Sequence, residues 1–271
     1  MIYKEVQIGE ALLRIYVLSN YEDIDINRKR AFIIICPGGA YCRCSNREAE
    51  AVAIKFNAMG YNCAVLFYSV NNIDKTEYSP SKQYKTLYPK PQIELANTIK
   101  YVRSHCEELN TDPNKITIMG FSAGGHLVAS LGDYWMEYGE DAKPNAMVLC
   151  YPVITSGQYE HECSIHLLIG EDKALMDMAS LEKHVSQQTP PTYIWTTKED
   201  QAVPYENSLL YADALSQNNV PFCLKVYEKG CHGLSLGTQE VTDSTKPVVP
   251  EIQDWPELVD EFLVKTFRTR F

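Results

Sequence analysis

Nowhere in this chain do apolar residues run long enough to cross a bilayer. The longest pure stretches, such as residues 31–36, fall far short of the roughly 20 residues that a spanning helix needs. Positive charge is also scarce. The 25 Lys and Arg stand against 35 Asp and Glu, a formal net charge of −10, so the concentrated basic field that a nucleic-acid backbone or an anionic lipid surface demands is missing. The opening residues, MIYKEVQIGEALLRIYV, alternate apolar and polar side chains. They lack the basic end and apolar block of an export signal, which sets a cytoplasmic expectation.

Other absences bear on organisation. No internal repeat, low-complexity tract or linker interrupts the chain, so residues 1–271 are expected to form a single α/β domain. The nine cysteines form an odd count with no secretory context, which argues for reduced, free thiols rather than a disulfide framework. Cys42 and Cys44, one residue apart, and the group His161, Cys163 and His166 contain metal-ligand types, yet their spacing matches no strong zinc pattern. No metal or other cofactor is expected.

What is present is the alternation of an α/β enzyme. Residues 3–8 and 11–18 alternate around Gly9 and Glu10 as an antiparallel hairpin does. Residues 31–36 and 62–70 are continuous runs of the kind that strands covered on both faces require, and residues 46–59 between them carry a helical pattern. The order then repeats, with helices over 91–108, after Ser122, over 204–217 and over 255–267, and strands over 115–119, 146–151, 192–197 and 222–228. Such alternation predicts a mostly parallel, twisted sheet with helices on both faces. Two stretches break the rhythm. Residues 71–90 are polar and tyrosine-rich, residues 152–190 lack a period, and both are long enough to be functional loops.

Within "TIMGFSAGGHLVAS", Gly120, Ser122 and Gly124 fit the pattern Gly-x-Ser-x-Gly. Small neighbours there allow a tight strand-to-helix turn that holds a serine hydroxyl clear of the backbone. A glycine-rich turn with a capping serine would read the same in isolation, so the partners decide. A serine hydroxyl needs a base to take its proton and a carboxylate to orient that base, following in the order Ser, Asp or Glu, His. Asp200 lies just beyond one predicted strand, with Glu199 as its rival, and His232 follows another, beside Gly233. His105 and His184 fall in predicted helices, His161 and His166 in the irregular segment, and His126 four residues into the nucleophile's helix, where packing or a local hydrogen bond suffices. A fourth element is a set of bare amides for an oxyanion: CPGGAY, directly after a buried strand, exposes the backbone at Gly38, Gly39 and Ala40, and Ala123 opens the helix after the serine.

With these residues the chain resembles the α/β-hydrolase fold, and within it the esterases related to hormone-sensitive lipase and to acetyl-xylan esterase-like carbohydrate esterases. The matching pieces include "CPGGAY", "YPKPQIELANTIKYVRSHCEELNTDPNKITIMGFSAGGHLVASLG", "PPTYIWTTKEDQAVPYENSLLYADALSQNNVPFCLKVYEKGCHGLSL" and "DWPELVDEFL". The resemblance implies Ser122 as nucleophile, Asp200 as acid through its Asp-x-x-Val-Pro setting, and His232 as base through its His-Gly pair, which sets Glu199 aside. The family's His-Gly-Gly-Gly loop here reads Pro37, Gly38, Gly39, Ala40. By position Gly39 and Ala40, with Ala123, would be the oxyanion donors, and which loop amide faces inward the sequence leaves open. The implied activity is a serine carboxylesterase for short acyl groups, acetyl groups on sugars such as xylan oligomers among them. The implied partners are a small-molecule ester, an acetylated oligosaccharide included, and in a homo-oligomer a second copy of the chain. Tyr78, Tyr84, Tyr88 and Tyr159 are candidates to line a carbohydrate site. A serine peptidase, a small-substrate amidase of the same fold, and a binder that has lost catalysis are the alternatives.

Overall fold

The continuous apolar, β-branched and aromatic runs form the middle of the sheet, where β-strands bury both faces, and the alternating hairpin forms one edge. In the computed structural model, which describes residues 1–269, eight strands are joined in one sheet: β1 (Ile2–Ile8), β2 (Ala11–Val17), β3 (Arg30–Cys36), β4 (Asn62–Phe67), β5 (Thr111–Phe121), β6 (Ala146–Cys150), β7 (Thr192–Thr197) and β8 (Phe222–Tyr227). Their spatial order is β1-β2-β4-β3-β5-β6-β7-β8. β1 pairs antiparallel with β2, and β2 antiparallel with β4; every pairing from β4 to β8 is parallel. The expected hairpin and parallel body are both present.

Alternation along a strand sends successive side chains to opposite faces, which creates two cores. From β3, Phe32 and Ile34 enter one core, which also takes Leu95 and Ile99 of α2 (Lys90–Ser104), Leu127 and Leu131 of α3 (Ala123–Tyr134) and Leu215 of α5 (Glu206–Gln217). Ile33 and Ile35 enter the other, with Val52 and Phe56 of α1 (Glu50–Ala58) and Trp255 and Val259 of α6 (Trp255–Phe267). Helices therefore cover both faces. The architecture is the α/β-hydrolase fold.

Several expected boundaries move. The strand over 62–70 stops at Phe67, and the helix over 91–108 ends at Ser104, so His105 caps α2 instead of lying within it. His184 follows a single 3-10 turn at Leu181–Lys183. Residues 152–190 contain a helix that the sequence did not announce, α4 (Glu162–Ile169). Cys163, Ser164, Ile165, Leu167, Leu168 and Ile169 are all buried, so most of this short helix faces protein and the usual polar stripe is lost.

The two irregular stretches meet as one layer. The amides of Leu87 and Tyr88 donate to the Leu168 carbonyl at 2.9 and 3.1 Å, and the Thr86 hydroxyl donates to the Ile169 carbonyl at 2.8 Å. Nearer the strand ends, the Asn71 amide donates to the Tyr41 carbonyl at 2.9 Å, and the Asn71 side chain donates to the Leu167 carbonyl at 3.0 Å. This layer borders the loop that follows β3.

Candidate active site

Parallel strands bring their carboxyl ends to one edge of the sheet, and the loops that leave them carry the candidate residues. Ser122 stands between β5 and α3 at φ 53° and ψ −117°, a left-handed conformation that costs a non-glycine residue energy and that surrounding structure must impose. Its amide donates to the Cys150 carbonyl of β6 at 3.0 Å, and its carbonyl accepts from the His126 and Val153 amides, both at 3.1 Å. The sharp turn brings Gly120 against the first turn of α3: a Cβ on Gly120 would lie 2.1 Å from the Gly124 carbonyl oxygen. The serine is 5% exposed, enough for its hydroxyl to face the loops.

Asp200 follows β7 and His232 follows β8. The His232 Nε2 lies 2.8 Å from the Ser122 Oγ, and its Nδ1 lies 2.6 Å from the Asp200 Oδ2. The other Asp200 oxygen accepts from the Ala202 and Val203 amides, each at 2.9 Å, so the carboxylate is fixed by its own loop and shielded from solvent. Glu199 turns elsewhere, accepting from the Gly230 amide at 3.1 Å. The Thr197 hydroxyl donates to the Gly230 carbonyl at 2.7 Å and so helps hold the loop that carries His232. Lys246 Nζ donates to the His232 carbonyl, and the Tyr151 ring stands edge-on to the imidazole, 5.1 Å between centroids. Hydroxyl, imidazole and carboxylate thus form one hydrogen-bonded line, with the imidazole between the other two.

The loop after β3 closes the site from the other side. Gly38 presses on the turn, since a Cβ there would lie 3.0 Å from the Ser122 Cβ. The Gly38 amide is already committed, donating to the Glu48 Oε2 at 2.8 Å, so of the three bare amides read from the sequence this one is not free for an anion. Among the described residues, the amides of Gly39 and Ala40 have no internal acceptor, and the Ala123 amide belongs to the unpaired first turn of α3. Glu48 and Tyr151, which border this loop, were not singled out from sequence. Glu48 falls within a pattern that reads as ordinary helix, and Tyr151 reads as the end of a strand.

The remaining histidines have other occupations. His126 is buried, with Nε2 3.0 Å from the Ala179 carbonyl and Nδ1 3.2 Å from the Tyr41 hydroxyl, and burial pushes its pKa down to about 4. His161 caps α4 through Nδ1, which accepts from the Ser164 amide at 3.3 Å; burial first, then Lys75 and His232, push its pKa down to about 4. His166 meets the Tyr78 hydroxyl at 3.2 Å, and Tyr78 and Tyr84 stack on each other at 5.9 Å. Tyr78, Tyr84, Tyr88 and Tyr159 are all half-buried. Among the described residues no three His, Cys, Asp or Glu side chains are grouped to hold a metal ion, and no helix is long and apolar enough to cross a membrane.

Comparison with known proteins agrees with the architecture. The family described as BD-FAE matches residues 21–215. Endo-1,4-beta-xylanase B of Butyrivibrio fibrisolvens is 36% identical over 222 residues, covering 78% of this chain and 34% of that protein. The acetylxylan esterase of Xylanibacter ruminicola is 29% identical over 217 residues, covering 76% of this chain and 41% of the relative. The chain thus spans between about a third and two fifths of these two curated relatives. Among solved structures, an acetyl ester-xyloside bifunctional hydrolase from Caldicellulosiruptor lactoaceticus is 32% identical with a TM-score of 0.79, covering 96% of this chain and 89% of that one. By the extent of the family match, and by a fold shared over nearly its whole length, this chain belongs to the BD-FAE family and has the α/β-hydrolase fold.

Proposed function

We propose that this protein is a serine carboxylesterase that removes short acyl groups, acetyl in the first place, from carbohydrate such as xylan oligomers. The observation that carries the reading is the line from Ser122 Oγ through His232 to Asp200, at 2.8 and 2.6 Å. In the first step the Ser122 oxygen bonds to the ester carbonyl carbon while its proton passes to the His232 Nε2, and Asp200 steadies the imidazolium through Nδ1. The carbonyl oxygen becomes an anion that the amides of Gly39, Ala40 and Ala123 receive, each such donor lowering the barrier by about 3 kcal/mol. The bond to the alcohol oxygen then breaks, and His232 returns the proton to the departing alcohol, leaving an acyl-enzyme. Water repeats the sequence and releases the carboxylic acid.

The names of the relatives support the carbohydrate part, two of them being an acetylxylan esterase and an acetyl ester-xyloside hydrolase. The reading takes the chain as one domain, supported by a single sheet whose strands run from Ile2 to Tyr227 with α6 packed on one of its faces. A cytoplasmic location fits nine cysteines that are all free thiols.

The test is turnover of p-nitrophenyl acetate by the wild type and by Ser122→Ala, followed by p-nitrophenyl esters of increasing chain length and by acetylated xylo-oligosaccharides. Loss of nearly all turnover in a folded Ser122→Ala protein, with preference for acetyl over longer chains, is the expected result. Retained turnover would overturn the nucleophile, and preference for long chains would overturn the acetyl assignment.

A further inference from the structure

Glu48 is a buried carboxylate, 3% exposed, that takes no part in the line of Ser122, His232 and Asp200 and yet touches two of the loops that build the site. Its Oε2 accepts from the Gly38 amide at 2.8 Å and its Oε1 accepts from the Tyr151 hydroxyl at 2.7 Å. The same hydroxyl oxygen accepts from the Ser235 amide at 2.9 Å, three residues after His232, while the Ser235 hydroxyl donates to the Arg47 carbonyl at 2.8 Å. Tyr151 is itself held against the end of β7, its amide donating to the Trp195 carbonyl at 2.6 Å, and its ring meets the His232 imidazole. One carboxylate therefore links the loop after β3, the loop after β6 and the loop after β8.

We infer that Glu48, acting with Tyr151, is a positioning residue that registers the anion-receiving amides of the Gly39–Ala40 loop against the Ser122 and His232 pair. The inference rests on the esterase reading above. Burying a carboxylate is costly unless its oxygens are met by donors, and here two donors come from two separate loops. Committing the Gly38 amide to Glu48 fixes the plane of the Pro37–Gly38 peptide, the rigid unit just before the Gly39 and Ala40 amides, and so the point from which those two N–H groups are directed. An oxyanion is stabilised only by donors already aimed at it, and a displacement of about 1 Å can lower a rate about 100-fold. Glu48 reaches no reacting atom. It acts through Gly38 on one side and through Tyr151 and Ser235 on the other.

The test compares Glu48→Met, which keeps the volume and removes both acceptors, with Glu48→Gln, which keeps one, and with Tyr151→Phe. Three quantities are measured with p-nitrophenyl acetate and a small alkylboronic acid: kcat, KM, and the Ki of the boronate, whose tetrahedral adduct uses the same amides. Labelling of Ser122 by a fluorophosphonate is followed in parallel. The expected result for Glu48→Met is a kcat lowered about 10- to 100-fold with KM within threefold, the boronate Ki rising by the factor that kcat/KM falls. Glu48→Gln should lie between Met and wild type. If Glu48→Met does not fold, Tyr151→Phe carries the test, with the same paired change in kcat and Ki at about 3- to 10-fold. A kcat within twofold of wild type, or a fall in melting temperature with kcat and Ki unmoved, overturns the inference while leaving the esterase reading intact. A wild-type protein that is not labelled at Ser122 overturns both.

Discussion

Gly124 lies so close to the end of β3 that a Cβ built on it would stand 2.1 Å from the Cys36 carbonyl oxygen and 2.5 Å from that of Pro37. The second residue of α3 is thus in backbone contact with the strand and loop beside it, and the position of Ser122 depends on that contact. Gly124→Ala is expected to push α3 from β3, destabilise the protein by about 1–3 kcal/mol and displace the serine. Thermal unfolding and turnover of p-nitrophenyl acetate check this together: both should fall, and an unchanged melting temperature would refute the packing argument.

Asp200→Asn separates the orientation of the imidazole from the shape of the site. The new side chain can still accept from the Ala202 and Val203 amides through its oxygen, so the loop should hold. Its amide nitrogen would face Nδ1 and favour the tautomer with the proton on Nε2, where His232 can no longer accept from Ser122. A fall in kcat of about 10,000-fold with little change in KM or melting temperature is expected. Steady-state kinetics and calorimetry on one preparation measure it.

Asp133 predicts how stability varies with pH. It is buried on α3, with Oδ1 accepting from the Thr189 hydroxyl at 2.9 Å and the Tyr211 hydroxyl at 3.0 Å, while Oδ2 has no partner among the described residues. Burial pushes its pKa up to about 8 from 3.8, against the pull of those two hydroxyls. A pKa raised by folding means that the native state keeps a proton that the unfolded chain has released. The contribution is complete below pH 3.8 and is lost as pH rises toward about 8. Asp133→Asn should flatten this decline and raise the melting temperature at pH 8 relative to wild type by about 3 °C or more. Melting curves from pH 4 to 9 decide it, and parallel curves for the two proteins would count against a protonated Asp133.

His126 works in the opposite sense. Folding lowers its pKa from 6.5 to about 4, so its contribution is present above pH 6.5 and lost as pH falls through about 4. The full loss corresponds to about 3 kcal/mol. His126→Gln should be less stable than wild type at neutral pH but should lack that part of the acid-side slope. Urea unfolding between pH 4 and 7 gives both slopes, and equal slopes would remove His126 from the account.

Most of the strand and helix pattern was legible because it is local. Residues 31–36 of β3 are apolar throughout, every residue of β7 is β-branched or aromatic, and the glycines around Ser122 mark a turn whatever lies beyond it. α4 escaped because a short helix buried over most of its surface has no polar stripe to give it a period. Glu48 escaped because a buried acceptor and a solvated helix residue are written with the same letter; only the loops that surround it distinguish them.

By itself the sequence determined the strands, the sharp turn at Ser122, and the order in which a serine, an acid and a histidine each follow a strand. These follow from backbone sterics and from the alternation of apolar side chains, which act over a few residues. The tertiary structure alone decided that His232 meets a serine 110 positions away and an aspartate 32 positions away, that Glu199 turns aside, and that the Gly38 amide is committed to Glu48. Those outcomes depend on parallel strand register carrying distant loops to one edge of the sheet, where hydrogen bonds between loops select among groups that are chemically alike.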